Sequence, residues 1–525
     1  MEANLPSTQA SVQLTGPKQL QLNASKGVHA PGPHQFLVKV EAVGLCFSDM
    51  KLLAQFSGHV RKSEVLAGVE PEVLDSLPSY APGEKPTVPG HEVCCQVVAV
   101  GKDVAHYQVG QRFIVQADYR PLKTASSNGA FGYNFEGGLQ EYVLLDERIT
   151  GNPEHEDSFM IPVPAGASAS QLALVEPWAC VENSYASRER QGIAPSKRTL
   201  LVTFDDQKLA ETFEIPPVPF QNIQADDESI DDLILLAPSA EGVEACGRLL
   251  AKNGRMFILQ NGRKLGRRVK VDVGRIHYMG HRVIGTTGGS ILDALKMIPE
   301  DGEPLLTGRV LVVGAGGPMG QMHVIRTLAN AEGQVVATDT AAERLDGLAR
   351  KLGTWPGRCR TCLASELGSS ESFDYVALMA PVPALIQDAI ERSRDKALIN
   401  IFAGIPVGTI AELDLDRVIE QKLYLFGTSG SEPNDMRVVL EQNLDGLLDT
   451  NLSVAAVAGM AGAIDGLTAV EERTLDGKIV VYPALKQMPL IPLNQLDRWY
   501  PSVASCLSEG QWTASAEKEL LRVAQ

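Results

Sequence analysis

Apolar and polar positions along the 525-residue chain alternate between two rhythms. Residues 36–43 (FLVKVEAV) alternate with a period of two, the signature of a half-buried strand. Val310–Val313 is a continuous apolar run suited to a buried strand. Gln321–Ala331 then shows helical spacing, with Met322, Ile325, Leu328 and Ala329 on one face. Val335–Ala337 predicts a second strand, with Asp339 just past its end.

Between strand and helix stand Gly314, Gly316, Gly317 and Gly320, followed closely by the second strand and its acid. This order fits a dinucleotide site, because side-chain-free residues let the backbone approach a pyrophosphate at a helix N-terminus. Met319 sits inside the same turn. Two glycine frames fit: Gly314, Gly316 and a late Gly320, or Ala315, Gly317 and Gly320. Asp339 favours NAD over NADP by holding ribose hydroxyls, whereas Arg344 is a candidate for attracting a 2′-phosphate.

Residues 186–308 repeat the later pattern. Asp232–Pro238 matches Asp374–Pro381, and each is followed by a helix-like segment (Val243–Ala251; Ala384–Ser393) and a strand (Arg255–Leu259; Ala397–Phe402). Arg275 and Gly285–Gly288 then match Arg417 and Gly427–Gly430, at an offset near 142. The pattern predicts a partial internal duplication. In the first copy Leu200–Asp206 replaces the glycine turn, and Asp205 and Asp206 would repel a pyrophosphate. That copy is expected to bind no dinucleotide. It is expected to pack on the intact copy in the place of a partner subunit, because Arg282–Thr287 repeats the edge region Leu423–Ser429.

The net charge of −17 argues against nucleic acid or an anionic membrane as the main partner. The hydrophobic share of 44% is ordinary for a globular chain. No basic region with an apolar core opens the sequence, and no apolar run approaches membrane-spanning length. Eight cysteines in this length fit reduced thiols and a cytoplasmic location. Cys359 and Cys362 form a lone C-x-x-C, read as incidental. His277, His281 and His323 lack an acidic constellation and are read as structural.

Cys46, His91, Glu92 and Glu176 are a thiolate, an imidazole and two carboxylates, all competent zinc ligands. By residue type alone a lone Cys and a His-Glu pair read as structural, and the case for zinc rests on the flanking sequence. The pieces are Gly44-Leu45-Cys46-Phe47-Ser48-Asp49, Gly90-His91-Glu92, Gly137-Gly138-Leu139-Gln140-Glu141-Tyr142, Glu176-Pro177, the glycine turn and Gly477-Lys478. They resemble the zinc-containing medium-chain dehydrogenase/reductase superfamily. The Cys–His–Glu–Glu set looks like its polyol branch, typified by sorbitol dehydrogenase. Gly317-Pro318-Met319-Gly320 and the tail from Trp512 look like L-sorbose-1-phosphate reductase members.

The resemblance implies that Cys46, His91 and Glu92 bind a catalytic zinc, with Glu176 as ligand or water partner. It implies that Ser48 moves the substrate's hydroxyl proton and that Asp49 steadies His91. It also shows departures. The region 116–134 holds no cysteine, so no structural zinc is expected. Cys95 stands where the family usually has glycine, and Lys51 where many members carry a relay histidine. The 44 residues between Cys46 and His91 exceed the family's spacing, and the surplus, about 58–85, is expected as a loop near the substrate. Arg120 and Lys123 are candidates to meet a phosphate, or a solvated loop.

The expected fold is α/β: a β-rich GroES-like catalytic domain over 1–190 completed by 478–525, a degenerate Rossmann-like module over 191–303, and a Rossmann doubly wound parallel sheet over 304–477. The tail from Pro489 is expected to wrap the catalytic domain. The expected function is zinc-dependent hydride transfer between a nicotinamide and a secondary alcohol, a polyol, sugar or sugar phosphate, at a cleft between the catalytic and intact Rossmann domains. The competing readings are a zinc-free reductase of the same superfamily and a nucleotide-sensing protein without chemistry.

Overall fold

The computed structural model describes residues 5–186, 189–194, 198–204, 209, 215–224, 226–353 and 355–524. Packing divides it into two units, residues 1–182 with 430–525, and residues 183–429. The boundaries differ from those expected from sequence. Residues 430–477 belong with the first unit, because Val454–Ala458 pairs in parallel with Lys478–Val481, which in turn pairs with the catalytic sheet.

In the first unit, β1 (Gln35–Gly44) leads through Cys46 into α1 (Phe47–Gln55). The segment expected as a loop forms short helices, of which α2 (Val60–Ser63) matters most. Strand β2 (Glu92–Val100) pairs antiparallel with β1, and β3 (Arg112–Val115) antiparallel with β2. A hairpin of β4 (Asp118–Lys123) and β5 (Asn128–Ala130) follows, in the cysteine-free region. Here Tyr119 stacks on Phe159 at 4.1 Å, and Phe131 and Phe135 are buried. Helix α3 (Val175–Asn183) carries Glu176. The tail helix Ala514–Val523 clasps this unit as expected. Glu517 is buried and accepts from the backbone N–H groups of Ala169 and Ser170, each at 2.7 Å.

The second unit holds both copies. The first is a parallel sheet of β6 (Thr199–Thr203), β7 (Ile230–Leu236), β8 (Leu250–Leu259) and β10 (Arg282–Thr286), with Val218–Pro219 beside β6. Between β8 and β10 lie β9 (Val269–Asp272) and α4 (Val273–Tyr278). The expected helix Val243–Ala251 is shorter, Ala240–Cys246, because Leu250 and Ala251 already belong to β8.

The second copy is a six-stranded parallel sheet. Its strands are β11 (Val310–Val313), β12 (Val335–Asp339), β13 (Cys359–Leu363), β14 (Phe373–Leu378), β15 (Ser393–Ile401) and β17 (Tyr424–Phe426). Helix α5 (Pro318–Asn330) connects β11 to β12, and β16 (Ile410–Leu413) with α6 (Leu415–Glu420) precedes β17. The spatial order β13-β12-β11-β14-β15-β17 is the dinucleotide-binding order of a doubly wound sheet. Cys359 and Cys362 lie three residues apart on β13, so they point to opposite faces.

The copies join through a two-stranded antiparallel ribbon, β9 against β16. Its register is Val269↔Leu413, Lys270↔Glu412, Val271↔Ala411 and Asp272↔Ile410. With the repeat offset of about 142, this is a pseudo-two-fold pairing with Lys270 and Glu412 at its centre. Buried side chains of both copies, among them Val269, Val273, Ile276, Leu413, Val418 and Ile419, form one hydrophobic cluster. Glu189 bridges the equivalent positions of the two edges. It accepts from Arg282 Nε at 2.9 Å and from Tyr424 Oη at 2.7 Å.

Candidate active site

The sequence places Cys46 at the residue before α1 and His91-Glu92 at the start of β2. Gly44 and Glu92 are cross-strand partners, which brings the two segments together. A Cβ on Gly44 would lie 2.1 Å from Glu92 Oε2, so glycine is what makes room for the carboxylate. Cys46, His91 and Glu92 thereby present ligand atoms that all lie within 4.8 Å of one another. Asp49 is buried on α1. Its Oδ2 accepts from the Cys46 backbone N–H at 3.2 Å, and its Oδ1 lies 3.0 Å from His91 Nδ1. Ser48 Oγ sits 3.1 Å from both Cys46 Sγ and His91 Nε2.

The donor set fits a divalent cation on two observations. Glu92 is fully buried, and its Oε2 accepts no hydrogen bond, an expensive omission for a carboxylate oxygen. The local field also calls for positive charge. Burial works against a charged His91, yet Asp49 and Cys46 outweigh it and raise its pKa well above the usual imidazole value. Glu92 Oε1 is met by buried Lys478 at 2.5 Å. Burial opposes that ammonium too, but Glu92 and Cys46 outweigh it and raise its pKa.

Glu176 stands outside the group of three, so its expected role as a fourth ligand is not built into the geometry. It is buried beside them, and Cys180 Sγ donates to it at 3.7 Å. Burial, together with the Glu92 charge and against His91 and Lys478, raises its pKa to about 7.

At the nucleotide turn, Gly314 has φ +82, a conformation natural to glycine. A Cβ on Gly320 would lie 2.3 Å from Gly314 O, and one on Gly316 would lie 2.6 Å from the Arg344 Cβ. Gly317 would meet nothing nearer than 3.8 Å. The close packing therefore selects the frame Gly314, Gly316, Gly320. Gly317 precedes α5, Pro318 opens it, and Met319 is half-buried in its first turn. Asp339 ends β12. It accepts from Gly316 N–H at 3.0 Å, Thr340 N–H at 2.8 Å and Ala341 N–H at 3.1 Å, with Arg344 Nη2 3.6 Å away. In the first copy, Asp205 and Asp206 lie outside the described residues.

Sequence reasoning missed three residues around the cluster. Lys478 was visible only as part of a Gly-Lys pair. Tyr133 is buried with its ring 6.0 Å from His91. Arg61 comes from the surplus segment, whose unusual length was the one signal available. Among the described residues, no helix is long and apolar enough to cross a membrane.

Residues 32–152 match the family model of the alcohol dehydrogenase GroES-like domain. The uncharacterized protein YggP of Escherichia coli (strain K12) is 24% identical over 54% of this chain and 75% of its own length. The L-sorbose 1-phosphate reductase of Klebsiella pneumoniae is 25% identical over 37% of this chain and 44% of its own. Among solved structures, 2R,3R-butanediol dehydrogenase from Bacillus subtilis superimposes with a TM-score of 0.55 at 16% identity, covering 91% of this chain and 100% of that one. That likeness is one of fold. These likenesses support a place for the chain beside the zinc-type alcohol and polyol dehydrogenases. It is an oxidoreductase of the alcohol dehydrogenase type, working with a nicotinamide nucleotide on a small-molecule alcohol.

Proposed function

We propose that the protein is a zinc-dependent, NAD-preferring dehydrogenase of a polyol or sugar derivative, with Cys46, His91 and Glu92 as the metal-binding residues. The observation that carries this reading is the convergence of these three ligand atoms around a buried, unpartnered Glu92 oxygen. Bound there, zinc would polarise the carbonyl and acidify the alcohol. Asp49 fixes the His91 ring by accepting a hydrogen bond from Nδ1–H, which leaves the Nε2 lone pair to face the metal. Lys478 fixes the Glu92 carboxylate from the other side. Ser48 moves the hydroxyl proton, and Glu176 holds the water.

Gly314, Gly316, Gly317, Met319 and Gly320 form the pyrophosphate turn, where the first N–H groups of α5 have no partner within the helix. Asp339 favours NAD, since its carboxylate would oppose a 2′-phosphate. The first copy takes a partner subunit's place, supported by the pseudo-two-fold ribbon, and makes a monomer the working form. A cytoplasmic location is supported by the free cysteines.

The deciding measurement is metal content and NADH binding of the wild type beside Cys46→Ser. The expected result is zinc lost in the variant, turnover abolished and NADH affinity kept. Zinc-free wild type with full turnover would move the protein to the zinc-free reductases. Asp49→Asn, which removes the His91 orienter, is expected to weaken zinc binding by about 10–100-fold in a chelator titration.

A further inference from the structure

The segment inserted between Cys46 and His91 is locked in place rather than loose. Lys62 on α2 is fully buried, and its Nζ donates to the carbonyls of Ala81 and Lys85, the latter at 2.7 Å. Gly83 N–H returns to the Lys62 carbonyl at 2.6 Å. Glu64 accepts from the Ser126 N–H at 2.8 Å, and His59 Nδ1 accepts from the Arg61 N–H at 3.2 Å. The four residues of α2 are thus held at both ends, and Arg61 between them has a fixed direction.

That direction is toward Tyr133, which lies beside the metal-binding cluster. The Arg61 guanidinium lies 5.6 Å over the Tyr133 ring, and the same ring stands 6.0 Å from His91. The field of Arg61 reaches Glu176 and Cys180. Among the described residues its carboxylate contact is a 3.3 Å approach to Asp118 Oδ1. Asp118 is already engaged, by Arg120 Nε at 3.0 Å and Asn128 Nδ2 at 2.6 Å. Arginines with a structural task in this chain look different. Arg148 grips Asp146 with two bonds of 2.8 and 2.6 Å, and Arg190 grips Asp232 with two of 2.7 and 2.8 Å. Arg61 keeps most of its five N–H donors, and its side chain remains 31% exposed.

We propose that Arg61 is a specificity-determining residue that binds an anionic substituent of the alcohol substrate, a phosphate ester or a carboxylate. The inference rests on the oxidoreductase reading above and narrows its substrate class. A planar guanidinium with free donors matches both anions in the same two-pronged way. A neutral polyol offers it nothing comparable, so a site built around this fork discriminates by charge.

The test compares sorbitol, sorbitol 6-phosphate and gluconate as substrates with NAD. It also compares them as ligands of the NADH-loaded protein by calorimetry, in wild type, Arg61→Gln and Arg61→Lys. The expected result is preference for an anion, carried mainly by KM. The anionic-to-neutral ratio of kcat/KM should fall about 10–100-fold in Arg61→Gln, the range of one charged hydrogen-bonding group. Arg61→Lys should recover part of it, with zinc content constant. Preference for sorbitol 6-phosphate assigns a phosphate, and preference for gluconate a carboxylate. Equal use of sorbitol and both anions, or an unchanged ratio in Arg61→Gln, overturns the proposal while leaving the dehydrogenase reading intact. If no alcohol turns over, that reading falls, and calorimetry still decides on Arg61: anion binding that ignores the substitution overturns it.

Discussion

At the end of β11 the chain has Gly314; at the same register position after β6 it has Phe204. The equivalence follows from the ladders, in which Thr203 pairs with Leu236 and Val313 with Leu378, themselves repeat partners. Gly314 adopts φ +82 and opens a turn so tight that three glycines are needed. Phe204 instead lays its ring against Gly242, where a Cβ would lie 2.1 Å away, and stacks on Phe220 at 4.8 Å. One copy turns on bare backbone, and the other, among the described residues, packs aromatic rings at the same place. The sheets are alike because both must bury the same apolar strands. On the proposed reading, the turns differ because only one has to admit a phosphate.

The strongest way to break this comparison is at the junction. Removing Glu189 leaves buried Arg282 and the Tyr424 hydroxyl without their shared acceptor. Glu189→Ala should cost about 3–5 kcal/mol in urea unfolding. An unchanged midpoint would show that this bridge does not hold the copies together.

Next in size is Gly320→Val. Its Cβ meets backbone, so strain of about 1–3 kcal/mol should weaken NADH binding about 10–100-fold by calorimetry. Phe204→Ala in the other copy should lower stability by about half of the roughly 3–5 kcal/mol of a fully buried ring. It should leave the stoichiometry at one NADH per chain, and a second site would end the claim that the first copy is closed by more than one ring.

The smallest effect is a pH slope shared by both copies. Burial, helped by Arg326, lowers the pKa of His323 to about 3; burial, helped by Arg275, lowers that of His281 to about 4. The unfolded chain therefore takes up these protons first. Stability is full above pH 6.5 and declines toward pH 4, by up to about 1.4 kcal/mol per pH unit per histidine. His323→Gln, which keeps an acceptor for Tyr185, should remove one share of the slope between pH 6.5 and 5 in urea titrations.

Much of this was legible in the chain. The glycine turn, the acid at the tip of β12 and the 142-residue offset follow from local patterns with fixed periods. Cys46 and His91-Glu92 were legible only through the flanking motifs Gly44–Asp49 and Gly90–Glu92 and the resemblance they carry, since residue type alone read as structural. The segment around α2 was not, because its fold depends on contacts such as Lys62 with the Ala81 carbonyl, which leave no periodic trace. The domain boundary near Gly430 was hidden for a similar reason. Residues 430–477 carry strand and helix patterns that suit either unit, and only the pairing of Val454–Ala458 decides.

The ribbon between the copies has one more consequence. On the axis of a true two-fold, a residue must face itself, so like meets like. Here the central pair is Lys270 and Glu412, an opposite-charge pair that no dimer of identical chains can place on its axis. A pair of second copies from different chains would set Glu412 against Glu412, and a pair of first copies would set Lys270 against Lys270. By carrying both halves on one polypeptide, the protein has gained heterodimer chemistry at an effective concentration that dilution cannot lower.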